Sequence, residues 1–342
     1  MHLTLLVPGL FLPDAIRADT TFDLPAPALS LLLGRAARRE LSAPWLAGAF
    51  GLPAPLPVAA LRRIAAGGTT PAEVGAGETA QTVNGDWICL DPVHLRVGRE
   101  GVTLADPAEL ALDAAEAAAL IAALAPLLAE LGSLGASAPG QWELRLPAPA
   151  ELDTLALPAA IGQPVAAQLP GGPAGKRWRR LLAEAQTLMH AHPVNRERDA
   201  RGRPTVNSLW PWGAGALGPR PQAACDVAWS DDPVVQGLCA LAGIPCLAPP
   251  ERFQPASGRV LAHIDGLARP AREFDALNWR SRLLDLESRW LAPAISALQR
   301  GDSASIRLIG SDAGDSRAAG FELSRGALWR FWRRPRPLAA LT

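Results

Sequence analysis

Apolar residues recur along this chain at two periods, and the switches between them outline its elements. Residues 3–7, LTLLV, read as a buried strand ending at a turn made by Pro8 and Gly9. Residues 28–41 have helical spacing, with Leu29, Leu32, Leu33 and Ala36 on one face and Arg35, Arg38 and Arg39 on another. Pro44 opens a helical turn over WLAGAF, and residues 58–65 suit a further helical turn in a stretch rich in Pro, Gly and Ala. The texture changes near Asp86. Residues 87–90, 94–97 and 102–104 read as short strands, with a turn at 98–101. Asp113 then caps a long helix, with Glu116 at the capping-box position. Glycines between 132 and 140 break that helix, and residues 142–146 alternate as another strand.

The second half alternates between the two periods. Residues 176–190 form an amphipathic helix with Trp178, Leu181, Leu182, Ala185, Leu188 and Met189 on its apolar side. Strands follow at 224–229, 259–264 and 305–310, and helices at 233–242 and 275–298. This order predicts an α/β fold: a mainly parallel sheet with helices on both faces. The block from 85 to 171 predicts an inserted α+β domain, leaving 1–84 and 172–342 as the core. A chain of 342 residues is long enough for that division. Ligands of open parallel sheets lie outside the carboxyl ends of the strands. That rule singles out Pro8 and Gly9, residues 263–265, and residues 310–312.

Charge narrows the classes. Lys plus Arg equal Asp plus Glu at 33 each, so no general field favours nucleic acid or an anionic membrane. The N-terminus lacks a basic leader, and Pro8 and Pro13 interrupt its short apolar run, which argues against a signal peptide. No apolar run approaches the ~20 residues of a membrane span, so a cytoplasmic protein is expected. The four cysteines lack C-x-x-C spacing and read as free thiols. Gly213, Gly215 and Gly218 match G-x-G-x-x-G, but Pro219 and Pro221 stand where a helix should begin. No G-x-S-x-G elbow occurs. His190 and His192 suit a helix end better than a metal site, Asp231 and Asp232 suit a helix cap, and Asp312 with Asp315 fits a turn as well as a cation.

Two stretches carry candidate chemistry. The first is HPVNRERDARGRPTVNSLWPWGAG, residues 192–215. It offers Arg196 and Arg198 as charged donors, Asn195 and Asn207 for directional hydrogen bonds, and Trp210 and Trp212 as a rigid wall. The ligand such a set fits is an anionic small molecule or a partner segment. The alternative is a packed corner, with both Asn holding turns and both Trp in a core. The second stretch is the tail, where Arg325, Arg330, Arg333, Arg334 and Arg336 interleave with Trp329, Phe331 and Trp332. Its rings are expected to dock back on the domain under solvated arginines.

HPVN-R-x-R followed by GRP-x-VNSLWPWGAG resembles the linker of archaeal-type cofactor-independent phosphoglycerate mutases. The block beginning DWICLDPVHLRVG is similar to their inserted domain, and it adds Asp91, His94 and Arg96 as further candidates. DPVHLR, HPVN, NSLW-x-WG and the Trp-Arg-Arg tail together resemble RpfE-type regulatory proteins, described as phosphoglycerate mutase-like, over nearly the whole chain. The resemblance implies an alkaline-phosphatase-like core. It also implies two divalent metals and a Ser or Thr nucleophile in active relatives. The chain departs from that pattern. Its first strand ends LLVPGL in place of an Asp-Gly pair, and residues 157–161 read LPAAI in place of His-Asp. Residues 275–285 lack Asp-x-x-x-His, and IGSDAGDS keeps Asp312 without the adjacent His. The expectation is a catalytically degenerate regulatory or ligand-sensing protein with no catalytic residues, metal or cofactor. Two alternatives stand beside it: an active metal-dependent phosphoryl-transfer enzyme, and a partner-binding module working through the tail.

Overall fold

A computed structural model describes residues 1–41, 45–67, 85–98, 101–314 and 316–340. The chain divides into two compact units, Met1–Ala54 with Pro221–Thr342, and Pro55–Arg220. In chain order the first part of the first unit holds β1 (His2–Phe11), α1 (Asp14–Thr21), α2 (Pro27–Arg35), β2 (Ala37–Leu41) and α3 (Trp45–Ala49). The second unit holds α4 (Val58–Ala66), β3 (Asp86–Val93), β4 (Leu95–Gly98), β5 (Gly101–Leu104), α5 (Ala114–Leu128), β6 (Ser133–Ala138), β7 (Gln141–Leu146), α6 (Gly175–His190), α7 (Pro193–Ala200) and β8 (Ser208–Gly215). The first unit resumes with β9 (Val227–Trp229), α8 (Pro233–Ala242), β10 (Cys246–Leu247), β11 (Arg259–His263) and α9 (Ala268–Arg272). It ends with α10 (Ala276–Leu286), α11 (Ala292–Arg300), β12 (Ser305–Asp312) and β13 (Ala318–Ser324).

The first unit is built on a seven-stranded sheet of order β10-β9-β11-β1-β12-β13-β2. The five strands from β10 to β12 are parallel, while β13 and β2 are antiparallel additions at one edge. The mainly parallel α/β sheet expected from the sequence is therefore present. β1 sits in the middle because Leu3, Leu5, Leu6, Val7 and Leu10 are all buried, as a strand covered on both faces requires. It does not stop at Pro8 and Gly9 as its sequence suggests; it rejoins β12 at Phe11 opposite Asp312 after a register shift. Gly9 has φ +77°, and a Cβ there would lie 2.5 Å from the Leu267 carbonyl oxygen, so only glycine fits.

Two helical readings are corrected. The helix expected over 28–41 ends at Arg35, because Ala36 is extended and Ala37–Leu41 pairs with β13, closing that strand's exposed edge. The helix expected over 275–298 is interrupted by a π-turn at Glu287–Leu291. Glu287 sits in that turn, and α2 has no side-chain cap of its own. The Glu287 Oε1 accepts the Ala28 N–H at 2.6 Å, and Oε2 accepts the Leu29 N–H at 2.9 Å. The π-turn thus brings a carboxylate to the positive end of another helix.

The second unit has a four-stranded antiparallel sheet, β6-β7-β3-β8, and a separate hairpin, β4-β5. Its core joins Leu120 and Leu124 of α5 to Trp178, Leu181 and Ala185 of α6 and to Trp142 of the sheet. The unit boundaries fall after Ala54 and after Arg220, not at 84/85 and 171/172. The reason is pairing: β8 lies against β3, with Asp91 opposite Trp210, and α6 contributes to the same core. Among the described residues no helix is long and apolar enough to cross a membrane.

Candidate functional site

The candidate set of residues 192–215 lies in the second unit, and most of its polar atoms are engaged by the chain itself. His192 caps α7, its Nδ1 accepting the Val194 N–H at 3.3 Å. Burial, and then the neighbouring Arg196 charge, hold this imidazole below its ordinary pKa. Asn195 is buried; its Nδ2 donates to the Met189 and Val206 carbonyls, and its Oδ1 accepts the Val206 N–H at 2.9 Å. Asn207 grips β4 by accepting the Leu95 N–H at 2.7 Å and donating to the Leu95 carbonyl at 2.9 Å. Arg196 is exposed and donates to the Ala191 carbonyl. Both Asn side chains therefore hold backbone.

Arg198, offered by the sequence as a charged donor to a ligand, is only 1% exposed. Its guanidinium donates to the Pro204 carbonyl at 2.8 Å, to the Leu110 carbonyl, and to Glu116 at 2.6 Å. Glu116 is also the capping-box residue of α5, accepting the Asp113 N–H at 3.2 Å. Arg203 reaches the same carboxylate at 3.3 Å. One carboxylate thus ties the start of α5 to α7 and the turn after it.

Trp212 and Asp91 meet in a second buried cluster. The Trp212 indole N–H donates to Asp91 Oδ2 at 2.8 Å, and the Trp142 backbone N–H donates to Oδ1 at 3.0 Å. Arg62 of α4 bridges both Asp91 oxygens at 2.9 Å and lies 5.0 Å from the centre of the Trp212 ring. Burial alone would lower the Arg62 pKa, but Asp91 raises it above its ordinary value. Arg62 and Glu143 were not signalled by the sequence. Alternation in β7 puts Glu143 opposite the Trp142 face, the side expected to be solvated. α4 packs against β3, β7 and β8 and covers it.

Glu143 is fully buried, and one of its oxygens has no hydrogen-bond partner among the described residues. Burial pushes its pKa up to about 7 from the ordinary 4.5, against a 2.6 Å hydrogen bond from Ser137 and the charges of Arg62 and Arg63. The folded chain keeps this proton where the unfolded chain sheds it. Its contribution to stability is full below pH 4.5 and is lost as pH rises to about 7. Between those limits the loss is roughly 3 kcal/mol. Urea titrations at pH 5 and pH 8 should show this drop, and Glu143→Gln should flatten it. An unchanged slope in that variant would show that Glu143 ionises normally.

The remaining candidates lie apart. His94 Nδ1 donates to the Thr205 carbonyl at 2.8 Å, and Arg96 pairs with Glu109 on the surface. Trp210 donates its indole N–H to the Leu155 carbonyl at 3.0 Å. It also borders a cavity of about 230 Å³ with Gln186, Gln168 and Arg179.

In the first unit, the carboxyl ends of the strands carry few donors. At its register shift β1 carries Pro8 and Gly9 after Val7, and the Gly9 carbonyl accepts the Trp279 indole N–H at 2.8 Å. After β9, Ser230 lies 3.1 Å from His263 Nδ1 and accepts the Asp232 N–H at 3.0 Å. Ser230 is 1% exposed, so this pair offers no accessible nucleophile. Asp232 caps α8, accepting the Val234 and Val235 N–H groups. Asp312 accepts from Ser316 and from the Arg317 N–H, the turn-holding role; Asp315 lies outside the described residues. Among the described residues no three His, Cys, Asp or Glu side chains form a metal-holding group. The donors present do not fit a two-metal centre, because they cap helices and turns. A cavity of about 320 Å³ in this unit is lined by apolar residues such as Leu10, Phe11 and Phe321, by Glu40, and by three arginines, Arg17, Arg38 and Arg317, which pair with Asp14, Glu40 and Asp312.

The tail departs from expectation. Its backbone docks on α2, yet Trp329, Phe331 and Trp332 are 76%, 79% and 68% exposed.

No protein-family model matches the chain. Over 55 residues it is 34% identical to the 2,3-bisphosphoglycerate-independent phosphoglycerate mutase of Methanosarcina barkeri. That stretch spans 16% of this chain and 14% of the relative. Two solved structures align along nearly its whole length. The cofactor-independent phosphoglycerate mutase of Thermoplasma acidophilum has a TM-score of 0.48 and 17% identity, covering 100% of this chain and 95% of that one. A Pyrococcus horikoshii protein has a TM-score of 0.47 and 13% identity, covering 99% of this chain and 91% of its own.

Proposed function

We propose that this is a phosphoglycerate mutase-like protein of alkaline-phosphatase-like fold, akin to the RpfE-type regulatory proteins, that lacks the two-metal chemistry and acts in regulation or ligand sensing. The observation that carries this reading is the register shift of β1 between Val7 and Phe11. There the middle strand of the sheet presents Val7, Pro8 and Gly9, no carboxylate, and a carbonyl already taken by Trp279. The 55-residue match to a mutase supports the mutase-like part of the reading. With Asn195, Asn207 and Arg198 engaged in holding backbone, the ligand part rests on the first-unit cavity. Its apolar lining suits a molecule with an apolar body, and its three arginines, paired with Asp14, Glu40 and Asp312, would exchange a carboxylate for the anionic group of such a ligand.

The test uses protein purified without chelators. Metal content and interconversion of 2- and 3-phosphoglycerate are measured on one sample, followed by thermal shift with phosphoglycerates and aryl sulfonates. Metal well below one equivalent, no turnover, and a midpoint raised by an anion but not in Arg317→Ala are expected. Stoichiometric metal with turnover abolished by Asp312→Ala would establish an active phosphoryl-transfer enzyme instead. If no anion raises the midpoint at saturation, small-ligand sensing is excluded.

A further inference from the structure

We propose that residues 325–340 form a docking surface for an anionic lipid bilayer. The chain is neutral as a whole, but from Arg325 to its last residue it carries five arginines and no Asp or Glu. A local field of one sign thus sits on a molecule without a net one. The segment is also held in place. Ala327 and Leu338 are buried at its two ends. Arg35 donates to the Leu328 carbonyl at 2.6 Å, and the Arg336 N–H donates to the Ser30 carbonyl at 2.8 Å. Gly34 of α2 allows this approach, since a Cβ there would lie 2.2 Å from the Arg334 carbonyl oxygen. The strap is therefore pinned by its backbone while its three largest apolar side chains point outward.

Their exposure identifies the partner. Single exposed apolar residues are ordinary, but three aromatic rings within four residues are not. Indole and phenyl rings favour the headgroup level of a bilayer, and arginines beside them attract anionic lipid. A single-stranded nucleic acid is the other anionic partner for such residues, and it stacks its bases on ring faces along a groove. Here Phe331 and Trp332 pack edge to face, with centroids 5.3 Å apart and planes at 81°. Their exposures of 79% and 68% describe protruding rings, not the walls of a groove. The lipid surface is the better match.

The experiment is co-sedimentation of the full chain with vesicles of phosphatidylcholine alone and of equal parts phosphatidylcholine and phosphatidylglycerol. Binding to the anionic vesicles only, weakened by salt, is expected. Combining Arg330→Ser, Arg333→Ser and Arg334→Ser should lower partitioning about a hundred-fold, at about tenfold or less for each arginine near the surface. Combining Trp329→Ala, Phe331→Ala and Trp332→Ala should abolish binding with no change in melting midpoint, because the rings are solvated. Failure of the wild-type chain to bind anionic vesicles overturns the proposal. So does equal binding by the aromatic triple variant. Tail-dependent binding of an oligonucleotide, or tail-dependent self-association, without vesicle binding overturns it as well.

Discussion

Arg198→Ala is expected to cost the second unit about 3–5 kcal/mol, the range for breaking a buried ion pair by removing one partner. The side chain is 1% exposed and spreads its donors over three acceptors from separate parts of the chain. Its removal strands the Leu110 and Pro204 carbonyls and leaves Glu116 with Arg203 as its remaining arginine at 3.3 Å. Glu116 is also the reciprocal partner of Asp113, so the capping box of α5 is weakened in the same step. Arg198→Lys should recover little, because a point charge on a flexible stem cannot address three acceptors that a planar fork meets together. The control is Arg201→Ala three residues on. That guanidinium pairs with Glu197 in solvent, at 61% and 64% exposure, and its loss should stay within about 0.5 kcal/mol. Urea midpoints for the three variants decide the matter. A cost for Arg198→Ala as small as that of Arg201→Ala would show the guanidinium to be solvated.

Arg198 marks where sequence reasoning stops. Nothing in RERDARGR separates it from Arg196 or Arg201, which are exposed. Its burial is set by Glu116 and Leu110, more than eighty positions earlier, and no local period encodes a contact of that range. Elements stabilised locally were legible. The Asp113–Glu116 box appeared at the spacing that defines it, and β1, β11 and β12 were visible because strands covered on both faces are mostly apolar. Of the strands that went unseen, β8 and β13 are largely buried, whereas two are held by pairing and not by a hydrophobic pattern. β2 is ARREL, nearly all exposed, and exists as the partner of β13. β6 is SLGASA, small residues zipped to β7. The polar candidates of residues 192–215 were legible as a distinctive cluster, but not in role. Asn195 and Asn207 turn from ligand donors into backbone clasps only once Val206 and Leu95 are placed beside them.

Asp91→Ala should be at least as damaging as the loss of Arg198. The carboxylate accepts four hydrogen bonds, two from Arg62, one from the Trp142 amide and one from the Trp212 indole. Without it the Arg62 charge is buried beside Trp212 with no matching carboxylate in contact, and two N–H groups lose their acceptor. The expected loss is again about 3–5 kcal/mol, with the unpaired N–H groups adding about 1–3 kcal/mol each where they stay dry. Asp91→Asn separates charge from shape. It keeps an acceptor for one indole or amide but not the countercharge for Arg62, so it should recover only part of the loss. Replacing both partners, Asp91→Leu with Arg62→Met, removes the buried charges together. The double variant should be more stable than Asp91→Leu alone, since apolar groups of similar volume often match a buried pair. That non-additivity is the diagnostic result, because Arg62→Met by itself strands the Asp91 carboxylate and should also destabilise. If the two single losses simply sum in the double variant, Arg62 and Asp91 are not one unit, and the clasp of α4 on β3 lies in the apolar contacts around them.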